Sequence, residues 1–174
     1  FDIQKLRWMN GVYLRDSSPE HILALLQEVE TPSDSFEKSE LLSEKQKLEI
    51  IRLYQSRVTT LVELAQVATA FFKAPQSYSQ EDRATWGQPD KTVLLLEHVM
   101  QLLELQEQFE HHEIAVVLKE LCVEEGIKLP MLAQPLRIAL TGGTTSPGVF
   151  EMLALLGKKE SVARIKALKE FLQR

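Results

Sequence analysis

Helix-start signals recur along this chain, and the apolar residues after each of them are spaced three and four apart. Almost no stretch alternates as a half-buried strand would. Ser18 before Pro19 is an N-cap followed by proline at the first helical position, where the missing N–H costs nothing. Ile22, Leu23, Leu25, Leu26 and Val29 then form one apolar stripe. Ser43 with Gln46, and Thr60 with Glu63, both read as capping boxes. The first opens a helix with Leu48, Ile51 and Val58 inward, and the second a helix through Leu64, Ala65, Ala68 and Phe71 that stops before Pro75. Asp2 caps an opening helix expected to reach about Met9. The fold class that follows is all-α.

The second half repeats this grammar. Asp90 opens the longest predicted helix, which runs to about Phe109 with Leu94, Leu95, His98, Leu102 and Leu105 on its apolar face. A helix from Glu113 to Glu125 ends at Gly126, where a left-handed cap belongs. Another runs from Leu129 to Leu140, with Pro135 in its first turns or kinking it. Ser146 and Pro147 repeat the Ser-Pro start, Gly157 ends that helix at Leu156, and Ser161 to Leu172 closes the chain. Between the halves, Ala74 to Pro89 is rich in Gln and Ser with two prolines and a glycine. The organisation read from this is a first helical subdomain over 1–74, a linker over 75–90 and a second subdomain over 91–174.

Several function classes have no constellation here. Cys122 is the single cysteine, so no internal disulfide can form. Glu120, Glu124 and Glu125 surround it, which is the wrong setting for a reactive thiolate and suits a buried residue in a reducing cytoplasm. Apolar runs such as Val93 to Leu96 are too short for a membrane span, and no basic-then-apolar leader opens the sequence. A chain opening on Phe1 reads as an excised or processed piece. Among His21, His98, His111 and His112, the adjacent pair points to different helix faces and no zinc spacing occurs. No glycine-rich phosphate loop follows a strand and no nucleophile elbow is present. The chain is expected to hold no catalytic residue, no metal and no cofactor of its own.

Charge is distributed unevenly. The net charge is −5, yet residues 128–174 hold eight basic groups against three acids, while the first 127 residues hold 12 basic and 22 acidic groups. An acidic body with a basic end is compatible with a localised polyanion contact, and a solvated helix face explains it equally well. Pro135 to Gly148 stands apart: a helix end, a Gly-Gly turn, the hydroxyls Thr144, Thr145 and Ser146, then a new helix start at Ser146. Exposed backbone N–H groups and hydroxyls of that kind can hold a phosphate or meet an unstacked base. A well-capped interhelix turn accounts for the same residues.

At these residues a family comes into view. PLRIALTGGTTSPGVFEMLALLGKKESVARI resembles the closing segment of bacterial glutamate–tRNA ligases, with Pro-Leu-Arg, Ala-Leu-Thr-Gly, Pro-Gly and Leu-Leu-Gly in order. The opening FDIQKLRWMNGVYL is similar to the stretch past the family's second ATP-binding signature, and Arg57 to Leu64 resembles its Arg-x-x-Thr-Leu-x-Glu-Leu helix start. The resemblance implies two tandem helical-bundle subdomains of a class I synthetase that attaches glutamate to tRNA using ATP and Mg²⁺. Neither catalytic signature, His-Ile-Gly-His-like or Lys-Met-Ser-Lys-Ser-like, occurs in these residues. The chain is therefore expected to retain only anticodon recognition, as a cytoplasmic monomer with no membrane contact.

Carried over residue by residue, the resemblance implies an anticodon-binding set of Arg57, Arg137, Ser146, Pro147 and Val149: Arg137 reads an anticodon base, Ser146, Pro147 and Val149 contact the anticodon around the Pro-Gly turn, and Arg57 reads the third anticodon base. The family pattern has threonine and leucine where this chain has Ser146 and Val149. The implied partner is tRNA(Glu), with tRNA(Gln) as a second candidate, and Arg57 leans toward the form that discriminates between them. A helical protein-interaction domain without nucleic-acid binding is the alternative. An exposed apolar patch would favour it, and a basic groove beside Arg57 and Arg137 the first reading.

Overall fold

The computed structural model describes residues 2–40, 42–79, 81, 89–143 and 147–174. Its described residues form nine α-helices and one 3₁₀ turn, with no strand. Two compact units divide at Lys73 and Ala74.

The first unit holds α1 (Ile3–Asp16), α2 (Pro19–Glu28), the 3₁₀ turn Phe36–Lys38, α3 (Glu44–Tyr54) and α4 (Leu61–Phe72). The caps named above act as expected: Asp2 accepts from the backbone of Gln4 and Lys5, and Ser18 from that of His21. Ser43 and Gln46 complete a capping box. At α4 the box is shifted by one residue. Thr60 accepts from the Glu63 N–H, but the Glu63 carboxylate reaches back to the N–H of Thr59, at 2.9 Å.

α1 runs seven residues beyond Met9, through Gly11, which ordinarily weakens a helix interior. Packing explains the tolerance: a Cβ at Gly11 would lie 3.4 Å from the Thr59 methyl, and Asn10 Nδ2 donates to the Thr59 carbonyl at 2.7 Å. The core of this unit is Ile22, Leu26, Phe36, Ile50, Ile51, Leu64 and Phe71, with Tyr54 tilted against Phe71 at 5.9 Å. Val58 is buried in the turn after α3, rather than in the helix, and Leu48 is only half-buried.

The second unit holds α5 (Pro89–Leu105), α6 (His111–Glu124), α7 (Leu129–Thr141), α8 (Val149–Leu156) and α9 (Lys158–Leu172). α9 packs along α5 and against α7 and α8, while α6 packs on α8. Here the expected inner face of α5 needs correction. Val93, Leu96, Val99 and Leu103 are the buried residues, whereas Leu94, His98 and Leu105 face outward. With apolar residues at 93–96 in an unbroken run, either face could pack, and α9 takes the one that includes Leu96 and Leu103. His98 instead meets Glu125 at 2.8 Å on the surface. Phe109 lies past the helix end.

Gly126 closes α6 as expected, with φ of 63°. Ile127 N–H donates to the Cys122 carbonyl at 2.9 Å and Gly126 N–H to that of Val123 at 3.2 Å, the paired bonds of a Schellman motif.

Candidate nucleic-acid interface

α7 carries the Pro-Leu-Arg sequence. Pro130 sits in its first turn and Pro135 in its interior, without ending it. Leu132, Ala133, Leu136, Ala139 and Leu140 face the core. Gln134, Arg137 and Thr141, three and four residues apart, share the opposite, half-buried face. Arg137 Nε and Gln134 Oε1 are shut off from solvent and have no hydrogen-bond partner. A buried polar atom left unpaired costs roughly 1–3 kcal/mol, so this face of α7 carries local strain beneath the surface.

The end of α7 is built locally. Thr141 Oγ1 donates to the carbonyl of Arg137 at 3.0 Å, a back-bond to the preceding turn. Gly142 caps the helix at φ 74°, a left-handed conformation that costs glycine nothing. Segment 75–78 lies behind this corner: a Cβ at Gly142 would sit 3.5 Å from Pro75, and the Tyr78 ring tilts on Phe171 at 5.4 Å. Burial pushes the Tyr78 hydroxyl above its ordinary range, with the Arg164 charge opposing the shift.

The far side of the turn differs from expectation. α8 begins at Val149 with Gly148 as its cap residue and no side-chain cap, instead of at Ser146. Ser146, with Thr144 and Thr145, lies outside the described residues. Pro147 and Val149 are both buried. The helix start, read as able to hold a phosphate or meet an unstacked base, faces the chain's own anion: a Cβ at Gly148 would come within 2.6 Å of the Glu151 carboxyl carbon. Glu151 thus folds back onto the first turn, complementing the helix dipole, and His111 approaches it at 3.7 Å. A second anion there would be repelled, so base contact suits this corner better than phosphate contact.

Two residues on α9 tie down the two helices that the corner joins. Arg164, 3% exposed, donates through Nη1 to the Leu140 carbonyl at 2.6 Å and through Nε to Glu160 at 2.7 Å. Ser161, fully buried, donates to the Leu153 carbonyl of α8 at 3.2 Å. The basic excess of residues 128–174 is therefore partly internal. Arg164 is buried, Lys169 pairs with Glu97 at 3.6 Å, and Lys158 donates to the carbonyls of Glu104 and Gln106.

In the first unit, Arg57 lies in the turn between α3 and α4, exposed, with its N–H on the Tyr54 carbonyl at 2.8 Å. Among the described residues it forms no ion pair. Exposed apolar residues of this unit concentrate on α1, where Leu6, Met9 and Tyr13 border a shallow groove of about 330 Å³ with Arg7, Asn10 and Thr60. Among the described residues no three His, Cys, Asp or Glu side chains gather as a metal site, and no helix is long and apolar enough to cross a membrane.

Two small helical units, with no strand among the described residues, define an all-α class of domain. The family model for the anticodon binding domain matches residues 15–169, and the chain belongs to that family. Its relatives are glutamate–tRNA ligases. The one from Pelobacter propionicus is 32% identical over 100% of this chain, and one from Brucella melitensis is 36% identical over 95%. The chain spans about a third of those proteins, 36% of each.

The crystal structure of a glutamate tRNA ligase from Elizabethkingia meningosepticum, in complex with its amino acid, superposes on 99% of this chain. That match has a TM-score of 0.83 and 25% identity and covers 33% of the crystallised chain. The glutamate–tRNA synthetase from Elizabethkingia anophelis gives 0.76 and 26% over 98% of this chain and 32% of its own.

Sequence reasoning singled out Arg137 and the corner after it, and did not single out Gln134 and Thr141 on the same face, Glu151 at the start of α8, or Arg164 behind the end of α7. Arg164 was legible as an i+4 partner of Glu160. Its reach to Leu140 depends on tertiary packing and left no local signal.

Proposed function

We propose that this chain is the anticodon-reading part of a glutamate–tRNA ligase that joins glutamate to tRNA(Glu), with tRNA(Gln) as a second substrate of a less selective form. The observation that supports it best is Arg137, half-buried on α7, its Nε unpaired, in a chain of the anticodon binding domain family. A splayed-out base presents acceptors and a π face, and a guanidinium can donate two parallel bonds or stack on it.

In this reading the two subdomains are the two compact units, with residues 75–79, expected as linker, packed in the second. Arg137 contacts one anticodon base and Ser146 supplies a hydroxyl. Pro147 and Val149, both buried, set the path of the turn beneath it. Arg57 reads the third anticodon base from the first unit. ATP and Mg²⁺ serve glutamate activation elsewhere in the ligase. No step of that activation is assigned to this chain. The protein works as a cytoplasmic monomer in translation.

Titration with a glutamate tRNA transcript at low salt tests the central residue. Arg137→Ala should weaken binding about tenfold, as loss of one base contact predicts, and Arg137→Lys should recover only part, because a lysine cannot donate a planar pair. Indifference to both substitutions would remove Arg137 from the site.

A further inference from the structure

The corner that follows Arg137 joins two helices, α7 and α8, and both are held from behind by α9. The contacts are Arg164 to Leu140 at 2.6 Å and Ser161 to Leu153 at 3.2 Å. Ser161 and Arg164 are three residues apart, so one face of α9 holds the end of α7 before the connection and the last turn of α8 beyond it. Leu140 is in the last turn of α7, where carbonyls have no intrahelical partner, and its side chain is fully buried.

A buried guanidinium on that carbonyl satisfies an orphan acceptor and places positive charge at the negative end of the helix. Arg137 lies one turn earlier, and its own carbonyl accepts from Thr141. The chain of bonds therefore runs from Arg164, through the last turn of α7, to the backbone that aims Arg137.

We infer that Arg164 is a positioning residue for base reading: it fixes the end of α7, and with it the direction of the Arg137 guanidinium and the entry of the turn toward Pro147. This rests on the base-reading role proposed for Arg137. Arg164 itself, 3% exposed, does not touch RNA. Two features separate this role from general packing. The Nε bond to Glu160 orients the guanidinium plane, and Glu160 is half exposed, so the pair is not a closed core element. Pro75 lies 3.5 Å from where a Cβ at Gly142 would stand and Tyr78 tilts on Phe171 of α9, so segment 75–78 and α9 brace the same corner.

The test is the selectivity of the chain rather than its affinity. Binding to an anticodon stem–loop RNA of glutamate tRNA is compared with binding to stem–loops altered at each anticodon base in turn. The ratio of dissociation constants is read for wild type, Arg164→Met, Arg164→Lys and Arg137→Ala. Arg164→Met should cut the ratio at the base read by Arg137 by about tenfold, the range expected of a residue acting through its neighbours. Arg164→Lys, which keeps a cation and one donor for Leu140, should restore part of it.

A merely structural loss would lower the fraction of chain able to bind and leave the ratio unchanged. An unchanged ratio in a folded Arg164→Met protein overturns the proposal. Should Arg164→Met not fold, Arg164→Lys decides: a ratio equal to wild type refutes the positioning role, and a ratio between wild type and Arg137→Ala supports it. If Arg137→Ala also leaves the ratio unchanged, the base-reading role itself has failed, and the Arg164 proposal falls with it.

Discussion

Gly142→Ala, with Gly126→Ala as its matched control, separates the stability of this fold from its reading of RNA. Both glycines end helices in the left-handed region, at φ 74° and 63°. A Cβ at Gly126 meets nothing within 4 Å, and one at Gly142 meets only Pro75 at an ordinary 3.5 Å, so neither substitution creates a clash. What remains is backbone strain of about 1–2 kcal/mol for an L-residue in that region. Alanine also restricts the unfolded chain, which returns about 0.4–1 kcal/mol. The net loss is therefore about 1 kcal/mol for each, or roughly 4–8 °C in Tm if the second unit unfolds as a domain of its size.

The two should part company on RNA. Gly142 begins the turn between Arg137 and Pro147, whereas Gly126 closes α6 away from it. Gly142→Ala should weaken binding to glutamate tRNA several-fold, as a shifted base contact would, and Gly126→Ala should leave it unchanged. Thermal melts and a low-salt titration of both variants suffice. Equal Tm losses with equal loss of binding would refute the placement of the site at the α7 corner. No Tm loss in either would refute the strain argument.

Other expectations follow from the same contacts. Phe71→Ala removes a fully buried ring that packs on Tyr54 and should cost about 3–5 kcal/mol, read by denaturant unfolding. Ser43→Ala removes half of a complete capping box and should cost about 1 kcal/mol. Lys73 holds the Asp34 carboxyl below its ordinary range, so its small stabilising effect is present above that range and lost as pH falls through the lowered value. In Lys73→Met the Asp34 titration, followed by NMR, should move back up. Cys122 is buried and its thiol is pushed above the usual range, so a thiol reagent should react with it only at the rate of unfolding.

How much of this was legible in the sequence depends on whether the signal was local. Asp2, Ser18, Ser43 and Thr60 cap their helices through bonds within four residues, and all four were readable. Gly126 was likewise announced as a cap by its position after an apolar run, while Gly142 was legible only as part of a Gly-Gly turn. The inner face of α5 was not, because Val93 to Leu96 offers two nearly equivalent stripes and only packing on α9 chooses between them.

The length of α1 was hidden by Gly11, whose helical cost is outweighed by its fit against Thr59. In the candidate site, Arg137 was marked by motif alone, whereas its unpaired Nε and the buried Arg164 behind it depend on the fold. The helix start after Ser146 misled through a cap signal that α8 does not use, since Glu151 folds onto its first turn instead.

The most direct measurement uses two stem–loop RNAs with the same stem, one carrying the glutamate anticodon and the other a scrambled anticodon, each titrated with this chain at low salt. The account predicts tighter binding to the glutamate anticodon by about tenfold or more, the discrimination expected of one well-placed base contact. Equal affinities would contradict it, leaving a helical domain that holds RNA without reading it.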